Sequence, residues 1–379
     1  MYPVMSMHTK VIKLDAAKAN ISKIKEAAAT VDAGGLVAFP TETVYGIACR
    51  VRQDSLNKLE ELKGNRHEKH YTLHISQKHE VTKYVPTIGL RAKKLIRNAW
   101  PGPLTIVFPL NEQDLHKQQR DLKREVFDGL YKNSSIGIRC PDNPIASILL
   151  RLTHHPVVAP SANITGENPA VEPEQVLEGL SDRIEVLLDA GPCRYKKSST
   201  VVKVGTKELE ILRPGVYSQS ELEELSTISF LFVCTGNTCR SAMAEGICRK
   251  YLAEKLECNV DDLGKTGYKV SSAGIMDLAG APASREAMAA CEALGIDIKA
   301  HKSKVLTQQL IQESDFVFAM EQIHCNHITA LCPDVQSKCM LLAKNNDIVD
   351  PICQGQDVFN DCAALIEKAV KKRIDELVL

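Results

Sequence analysis

Apolar residues recur along this chain in two rhythms. Short apolar runs at Leu36 to Phe39, Tyr71 to Ile75, Leu104 to Phe108, Ser135 to Arg139 and Val157 to Ala159 have the length of strands. Between them, Ser55 to Leu62, Leu90 to Asn98 and Pro144 to Leu152 carry helical spacing. In the last of these, Ile145, Ile148, Leu149 and Leu152 share one face. Strands alternating with helices predict an α/β fold with a layered, twisted sheet. Asn111 to Glu125 (NEQDLHKQQRDLKRE) has no apolar stripe and reads as an exposed insertion or solvated helix. Val216 to Thr227 turns polar and acidic, which predicts a short helical linker over 218–227. Beyond it the rhythm restarts. A strand from Ile228 to Val233 precedes a helix that begins near Ser241 and carries Met243, Ile247 and Tyr251 on one face. This second domain is expected to hold a parallel sheet of four or slightly more strands between helices, with its site at a strand's carboxyl end.

Composition adds limits. A chain of 379 residues exceeds what one core usually fills, and 44% hydrophobic with 25% charged residues is ordinary for globular proteins. With 47 basic and 47 acidic residues there is no global field to attract nucleic acid or a membrane. The local run Arg194 to Lys197 stands just before the segment Ser199 to Val204 and is a candidate phosphate contact. No stretch approaches the roughly 18 consecutive apolar residues of a membrane span, and the first ten residues contain no apolar signal core. Thirteen cysteines without such a segment point to a reducing compartment, so a cytoplasmic protein is expected. Absence of a CxxC pair excludes a zinc ribbon, and the cluster His324, Cys325, His327 reads as a surface turn rather than a metal site.

The chemistry concentrates first in Phe230 to Glu245, FLFVCTGNTCRSAMAE, where Cys234 precedes Arg240 between a strand and a helix. Backbone N–H groups, a helix N-terminus and a guanidinium around one anion would stabilise a thiolate and transferred phosphoryl oxygens. The string resembles the low-molecular-weight phosphotyrosine phosphatase loop V-C-x-G-N-x-C-R-S, and the resemblance runs over 228–379. It implies a Rossmann-like parallel-sheet domain needing no cofactor. Cys234 would be the nucleophile, Arg240 the phosphate clamp, and Asp350, before Pro351, the general acid. Gly236, Asn237, Thr238 and Ser241 would shape and brace the loop. Cys239 would trap oxidised Cys234 as a disulfide. Thr238 resembles the protein arginine phosphatases, whereas phosphotyrosine enzymes typically carry isoleucine there. Ile352 departs from the aromatic residue expected of arginine phosphatases. Arsenate reductase remains an alternative on this scaffold, but Cys325, Cys332, Cys339 and Cys353 are too irregularly spaced to assign that role.

A different resemblance begins at Gly34 with GGLVAFPTETVYGIACRV. In order follow WPGPLTIVF from Trp100, SIGIRCPDNP from Ser135, VVAPSANITGENP from Val157, STVVKV from Ser199 and ILRPG from Ile211. These motifs resemble the YrdC family, a twisted-sheet α/β fold, over 10–217. The resemblance implies synthesis of threonylcarbamoyl-adenylate from L-threonine, bicarbonate and ATP with Mg²⁺, on the route to tRNA modification through a downstream threonylcarbamoyl transferase. It also implies a capacity for double-stranded RNA. Thr43, His74, Arg139 and Ser199 would meet threonine; Lys63, Ser135, Ser161, Asn163 and Arg213 would hold the nucleotide. One departure stands out. Family members carry Lys-x-Arg followed by proline, whereas here Lys63 is followed by Asn65 and then Arg66. Either Arg66 takes the arginine's duty one residue later, or its side chain turns to the other face and the triphosphate loses a charge partner. The two halves together read as a bifunctional enzyme, the second half acting on a phosphorylated protein. The rival is a noncatalytic nucleotide- or RNA-binding module joined to a phosphatase.

Overall fold

The computed structural model describes residues 8–15, 20–64, 71–335, 337–377 and 379. They form two compact units whose main boundary falls between Leu225 and Ser226, with Gly89–Arg91 grouped with the second. Up to that boundary the elements are β1 (Lys10–Lys13), α1 (Ile21–Ala33), β2 (Val37–Phe39), β3 (Gly46–Arg50), α2 (Gln53–Lys63), β4 (Thr72–His74), α3 (Leu90–Ala99), β5 (Leu104–Pro109), α4 (Glu112–Asp121), α5 (Arg124–Leu130), β6 (Ser135–Arg139), α6 (Pro144–Leu152), β7 (Val157–Val158), α7 (Pro173–Leu180), β8 (Val186–Asp189), β9 (Thr200–Val204), β10 (Leu209–Arg213) and α8 (Gln219–Ser226).

Among the described residues these strands form one mixed sheet in the order β1-β8-β2-β3-β7-β4-β6-β5-β9-β10. Its central strands β2, β3 and β6 are buried on both faces, and successive side chains divide between two cores. Val37, Phe39 and Ala48 pack with Ile24, Val31, Ile145 and Leu149 of α1 and α6. Ala38, Ile47 and Cys49 point the other way, onto Leu56, Leu59 and Leu95 of α2 and α3. Helix α6 starts where the sequence signals it. The Asn143 side chain accepts from the Ile145 and Ala146 amides at 2.9 and 3.1 Å, and Pro144 occupies the first turn.

Asn111 to Glu125, expected as an exposed insertion or solvated helix, is the mostly exposed helix α4 and the start of α5, with Asp114 and Gln118 buried. Thr87 Oγ1 donates to Asp114 at 3.1 Å, and Tyr131 Oη donates to Gln118 at 3.0 Å. Hydrogen bonds therefore make a core face that an apolar count misses. The segment expected as a short helical linker is largely helix α8, and it buries Leu222 in the first unit's core.

From Ser226 onward come β11 (Ile228–Cys234), α9 (Arg240–Lys255), β12 (Tyr268–Gly274), α10 (Arg285–Ala293), α11 (Gln308–Glu313), β13 (Phe316–Ala319), α12 (Gln322–Leu331), β14 (Cys339–Leu341) and α13 (Gln356–Asp375). The four strands pair in parallel in the order β12-β11-β13-β14. Phe230, Phe232 and Phe318 face α9, α10 and α13, stacking with ring centroids 5.4 Å apart for Phe232 and Phe318. Leu231, Val233, Val317 and Ala319 face Ile311 of α11 and Ile328 of α12. The chain leaves β11 towards β12 on one side and later returns to β13 on the other. The carboxyl end of β11 is thus the switch point of the sheet, and Cys234 is its last residue. The His324–Cys325–His327 cluster lies within α12, not a surface turn, and His324 is fully buried. Among the described residues no helix is long and apolar enough to cross a membrane.

Candidate active sites in the two units

In the first unit β3, β4, β5, β6, β9 and β10 contribute walls to a cavity of about 540 Å³. His74, Ser135, Arg139, Ser161, Ser199 and Arg213 line it. Arg139 is buried, donating from Nη2 to Glu42 Oε1 at 2.8 Å and to Thr43 Oγ1 at 2.7 Å. Its Nε is buried with no hydrogen-bond partner among the described residues. Burial, reinforced by the nearby Arg139 charge, pushes His74 down to about 3, so the ring is neutral. Nδ1 donates to Thr72 O at 3.1 Å, leaving Nε2 as an acceptor. Arg213 donates to Ser199 O and Oγ at 2.8 and 3.0 Å, joining β10 to β9 at the cavity wall. Alternation along β9 puts Val201 and Lys203 on that same wall.

In the second unit the loop from Cys234 to Arg240 turns around a sulfur. Asn237 N donates to Cys234 Sγ at 3.2 Å. Ser241 Oγ lies 3.0 Å from the same sulfur and accepts from Asn237 Nδ2 at 2.8 Å, so its own proton is directed at Sγ. Asn237 takes a left-handed φ of 54°, a conformation its short amide tolerates. Its side chain also donates to Ser272 Oγ and accepts from Lys304 N, both at 2.8 Å. Gly274 stands beside Cys234 in the strand register, and a Cβ there would come within 2.8 Å of Thr235 O and 2.9 Å of Asn237 N. Arg240 opens α9 with its guanidinium buried. Nη1 donates to Glu321 Oε2 at 2.6 Å and Ile348 O at 2.8 Å, Nη2 donates to Asp350 Oδ2, and Nε has no partner among the described residues. His324 Nδ1 accepts from the Glu321 amide at 3.0 Å, so Nε2 carries the proton towards Thr235 Oγ1 at 3.0 Å. Burial, then the Arg240 charge, holds His324 below its usual range.

Two family models match in succession: Sua5–YciO–YrdC, described as telomere recombination, over residues 29–215, and low molecular weight phosphotyrosine protein phosphatase over residues 229–378. A putative threonylcarbamoyl-AMP synthase of Mycobacterium tuberculosis is 32% identical over 203 residues, 53% of this chain and 88% of that one. The low molecular weight protein-tyrosine-phosphatase Etp of Escherichia coli is 32% identical over 151 residues, 39% of this chain and 93% of that one. This chain belongs to both families. The threonylcarbamoyl-AMP synthase of Pyrococcus abyssi is 31% identical over 237 residues, 62% of this chain. The alignments span 66% of that synthase and 58% of one from Bacillus subtilis. A crystal structure of P. abyssi Sua5 complexed with L-threonine shares the fold, with a TM-score of 0.51 at 22% identity, covering 70% of this chain and 92% of that one.

Within the Sua5-type unit the structure brings His74, Ser135, Arg139, Ser161, Ser199 and Arg213 to one cavity. Thr43 stands behind Arg139, held by its guanidinium and by Thr41 Oγ1 at 2.9 Å. Two expected nucleotide contacts, Lys63 and Asn163, are not among the residues lining the cavity. The Lys63 ammonium is buried, donating to Ser161 O at 2.8 Å and to Asn163 O, while the Asn163 amide donates to Ile164 O and Glu167 O at 2.7 and 2.8 Å. Carbonyl oxygens thus take up both groups. Arg66 and Asn65 lie outside the described residues. In the run Arg194 to Lys197, Arg194 pairs with Asp142 at 2.8 Å and Lys196 with Glu172 at 2.9 Å, both exposed. Sequence reasoning missed Glu42, the buried partner of Arg139, although it sits between two hydroxyls in PTETVYG. It also missed Lys203, which strand alternation from Ser199 would have found.

Within the phosphatase unit Cys234, Gly236, Asn237, Thr238, Arg240, Ser241 and Asp350 all gather at the β11 carboxyl end. Arg240 is matched here by the carboxylates of Asp350 and Glu321, where the sequence expected an anion in the loop. Cys239 donates towards Ser284 Oγ at 3.5 Å, and burial raises its thiol. Glu321 and His324 were missed as supports for Arg240 and Thr235.

Proposed function

We propose that this chain is a bifunctional enzyme. Its first unit makes threonylcarbamoyl-adenylate from L-threonine, bicarbonate and MgATP, and its second hydrolyses a phosphorylated protein through a phosphocysteine. For the first unit, the observation that carries the reading is the buried Arg139 Nε left without a partner in a cavity walled by His74 and Ser199. An unmatched buried donor costs about 1–3 kcal/mol, and a threonine carboxylate would relieve it. Neutral His74 offers Nε2 to the threonine hydroxyl or ammonium. Because Lys63 is taken up by carbonyls, Lys203 and Arg213 on the opposite wall supply cations for the polyphosphate. Magnesium arrives as part of the ATP substrate. The adenylate would pass to a downstream transferase that modifies tRNA, which fits a cytoplasmic enzyme.

In the second unit Cys234 attacks phosphorus, and the loop amides with Arg240 hold the equatorial oxygens. Asp350 protonates the departing nitrogen or oxygen, then removes a proton from the water that hydrolyses the phosphocysteine. The support is the Cys234 sulfur accepting from Asn237 N and lying 3.0 Å from Ser241 Oγ, contacts that fix the sulfur within the loop. Incoming phosphate would draw Arg240 from Asp350 and free the carboxyl for proton transfer. Thr238 lines the loop with a hydroxyl, which favours phosphoarginine over phosphotyrosine.

The test is one preparation assayed twice. With ATP, Mg²⁺, bicarbonate and L-threonine, threonine-dependent pyrophosphate and threonylcarbamoyl-adenylate are expected. With phosphoarginine and phosphotyrosine peptides, faster release from phosphoarginine is expected and is abolished by Cys234→Ser. A folded, phosphatase-active protein that makes no adenylate would replace the synthase reading with a binding module. A preference for phosphotyrosine would overturn the substrate assignment alone.

A further inference from the structure

Between β2 and β3 the segment Pro40 to Tyr45 is buried throughout, including Thr41, Glu42 and Thr43. Glu42 is not among the cavity-lining residues, yet both its carboxylate oxygens are taken: Oε1 accepts from Arg139 Nη2 at 2.8 Å and Oε2 from the Asp142 amide at 3.0 Å. Its carbonyl accepts from the Tyr195 amide at 2.8 Å. The pair with Arg139 is deeply buried, the side chains being 6% and 1% exposed for Arg139 and Glu42. Buried ion pairs add little net stability, because desolvation of two charges offsets most of their attraction, so this one calls for a further role. The neighbouring hydroxyls show which. Thr41 Oγ1 donates to Val44 O at 2.6 Å, so the 2.9 Å contact between Thr41 and Thr43 is a bond from the Thr43 hydroxyl. Thr43 thus spends its one proton on Thr41 and offers Arg139 Nη2 an acceptor at 2.7 Å. Nη2 carries two hydrogens, and Glu42 and Thr43 take one each. On the Nε–Nη2 edge of the guanidinium only Nε is left, buried and without a partner among the described residues.

We propose that Glu42 is a positioning residue for the L-threonine carboxylate, a role that rests on the threonine reading of the cavity and runs through Arg139. With Thr43 it occupies Nη2, fixes the plane of the guanidinium and leaves Nε as the donor for the carboxylate. Its charge matches that of Arg139 inside the fold, so the arginine keeps one orientation before substrate arrives. Through the Asp142 and Tyr195 amides the same residue ties the end of β6 to the segment that leads into Ser199. Arg139 and Ser199, both expected on threonine, thereby share one anchor. Glutamine cannot take the place of Glu42. Whichever way its amide turns, its own N–H faces either Arg139 Nη2 or the Asp142 N–H.

The test measures L-threonine and ATP binding to the full chain separately by calorimetry, alongside the KM for each substrate. Trp100 emission during urea unfolding shows whether the first unit of each variant is folded. Glu42→Gln is expected to weaken L-threonine binding about thirtyfold, the scale of one charge-assisted hydrogen bond, and to raise its KM while leaving that for ATP within about twofold. Glu42→Asp keeps the carboxylate and is expected to recover part of the loss. Thr43→Val removes the second acceptor on Nη2 and is expected to weaken L-threonine binding about fivefold; it carries the test where the glutamine variant does not fold. Unchanged L-threonine affinity in the folded variants, or equal rises in both KM values, would overturn the positioning role alone. A native chain that binds ATP and no L-threonine would overturn the threonine reading of the cavity, and the role with it.

Discussion

Replacing Asn237 by alanine tests how the phosphate loop is held. The side chain makes three buried hydrogen bonds, to Ser241 Oγ, Ser272 Oγ and Lys304 N, each 2.8 Å long. At about 1 kcal/mol net apiece they contribute about 3 kcal/mol. Alanine at φ 54° adds about 1 kcal/mol of backbone strain that asparagine and glycine avoid. Asn237→Ala should therefore lose about 4 kcal/mol and Asn237→Gly about 3 kcal/mol, a large share of a domain's stability. The single tryptophan, Trp100, lies in the first unit, so its emission during urea denaturation follows that unit alone. Hydrogen exchange of β11 and β12 amides follows the second. Faster exchange in those strands, with an unmoved Trp100 transition and a glycine variant milder than the alanine one, is expected. A loss below about 1 kcal/mol, or equal losses for both variants, would refute the reasoning.

Three further outcomes are expected. Gly274→Ala should displace the loop, because its Cβ meets backbone on three atoms within 2.9 Å; phosphate-ester turnover should fall at least tenfold while far-ultraviolet circular dichroism is kept. His74 stays neutral in the fold, pushed down to about 3 from an ordinary value of 6.5, so only the unfolded chain gains its proton between those values. The first unit should accordingly lose on the order of a few kcal/mol as pH falls from about 6.5 to about 3. Trp100-monitored unfolding would show the slope, and His74→Gln should flatten it; an unchanged slope would refute the assignment. Lys203→Ala should raise the KM for ATP about tenfold and leave that for L-threonine unchanged, with Lys203→Arg restoring most of the loss.

What could be read from sequence depended on whether one residue's local neighbours decide its role. Helix α6 was visible from end to end because Pro144 and four spaced apolar residues all lie within it. The phosphate loop was visible because its parts are close in sequence: Cys234, Asn237 and Ser241 touch one another, and Arg240 reaches Thr235. Partners from distant strands were not. Glu321 lies 81 positions from Arg240, and only the parallel order of β11 and β13 brings them together. Lys63 shows the opposite case. A lysine in a phosphate-type motif has an evident task in sequence, yet the fold runs the Ser161–Asn163 backbone past its ammonium. Polar burial at Asp114 and Gln118 escaped because its satisfaction comes from Thr87 and Tyr131, outside the helix.

The enclosure of Lys63 also makes it a chronometer. An amine reagent such as acetic anhydride reacts with water-exposed lysines first, whereas a primary amine surrounded by carbonyls is shielded from acylation until the Ser161–Asn163 loop lets go. The rate at which Lys63 acquires a label, set against its solvent-facing neighbour Lys58, counts the openings of that loop. Because no catalytic turnover is needed, the same count can be taken with ATP, with threonine or with neither, and read as which of them keeps the loop shut.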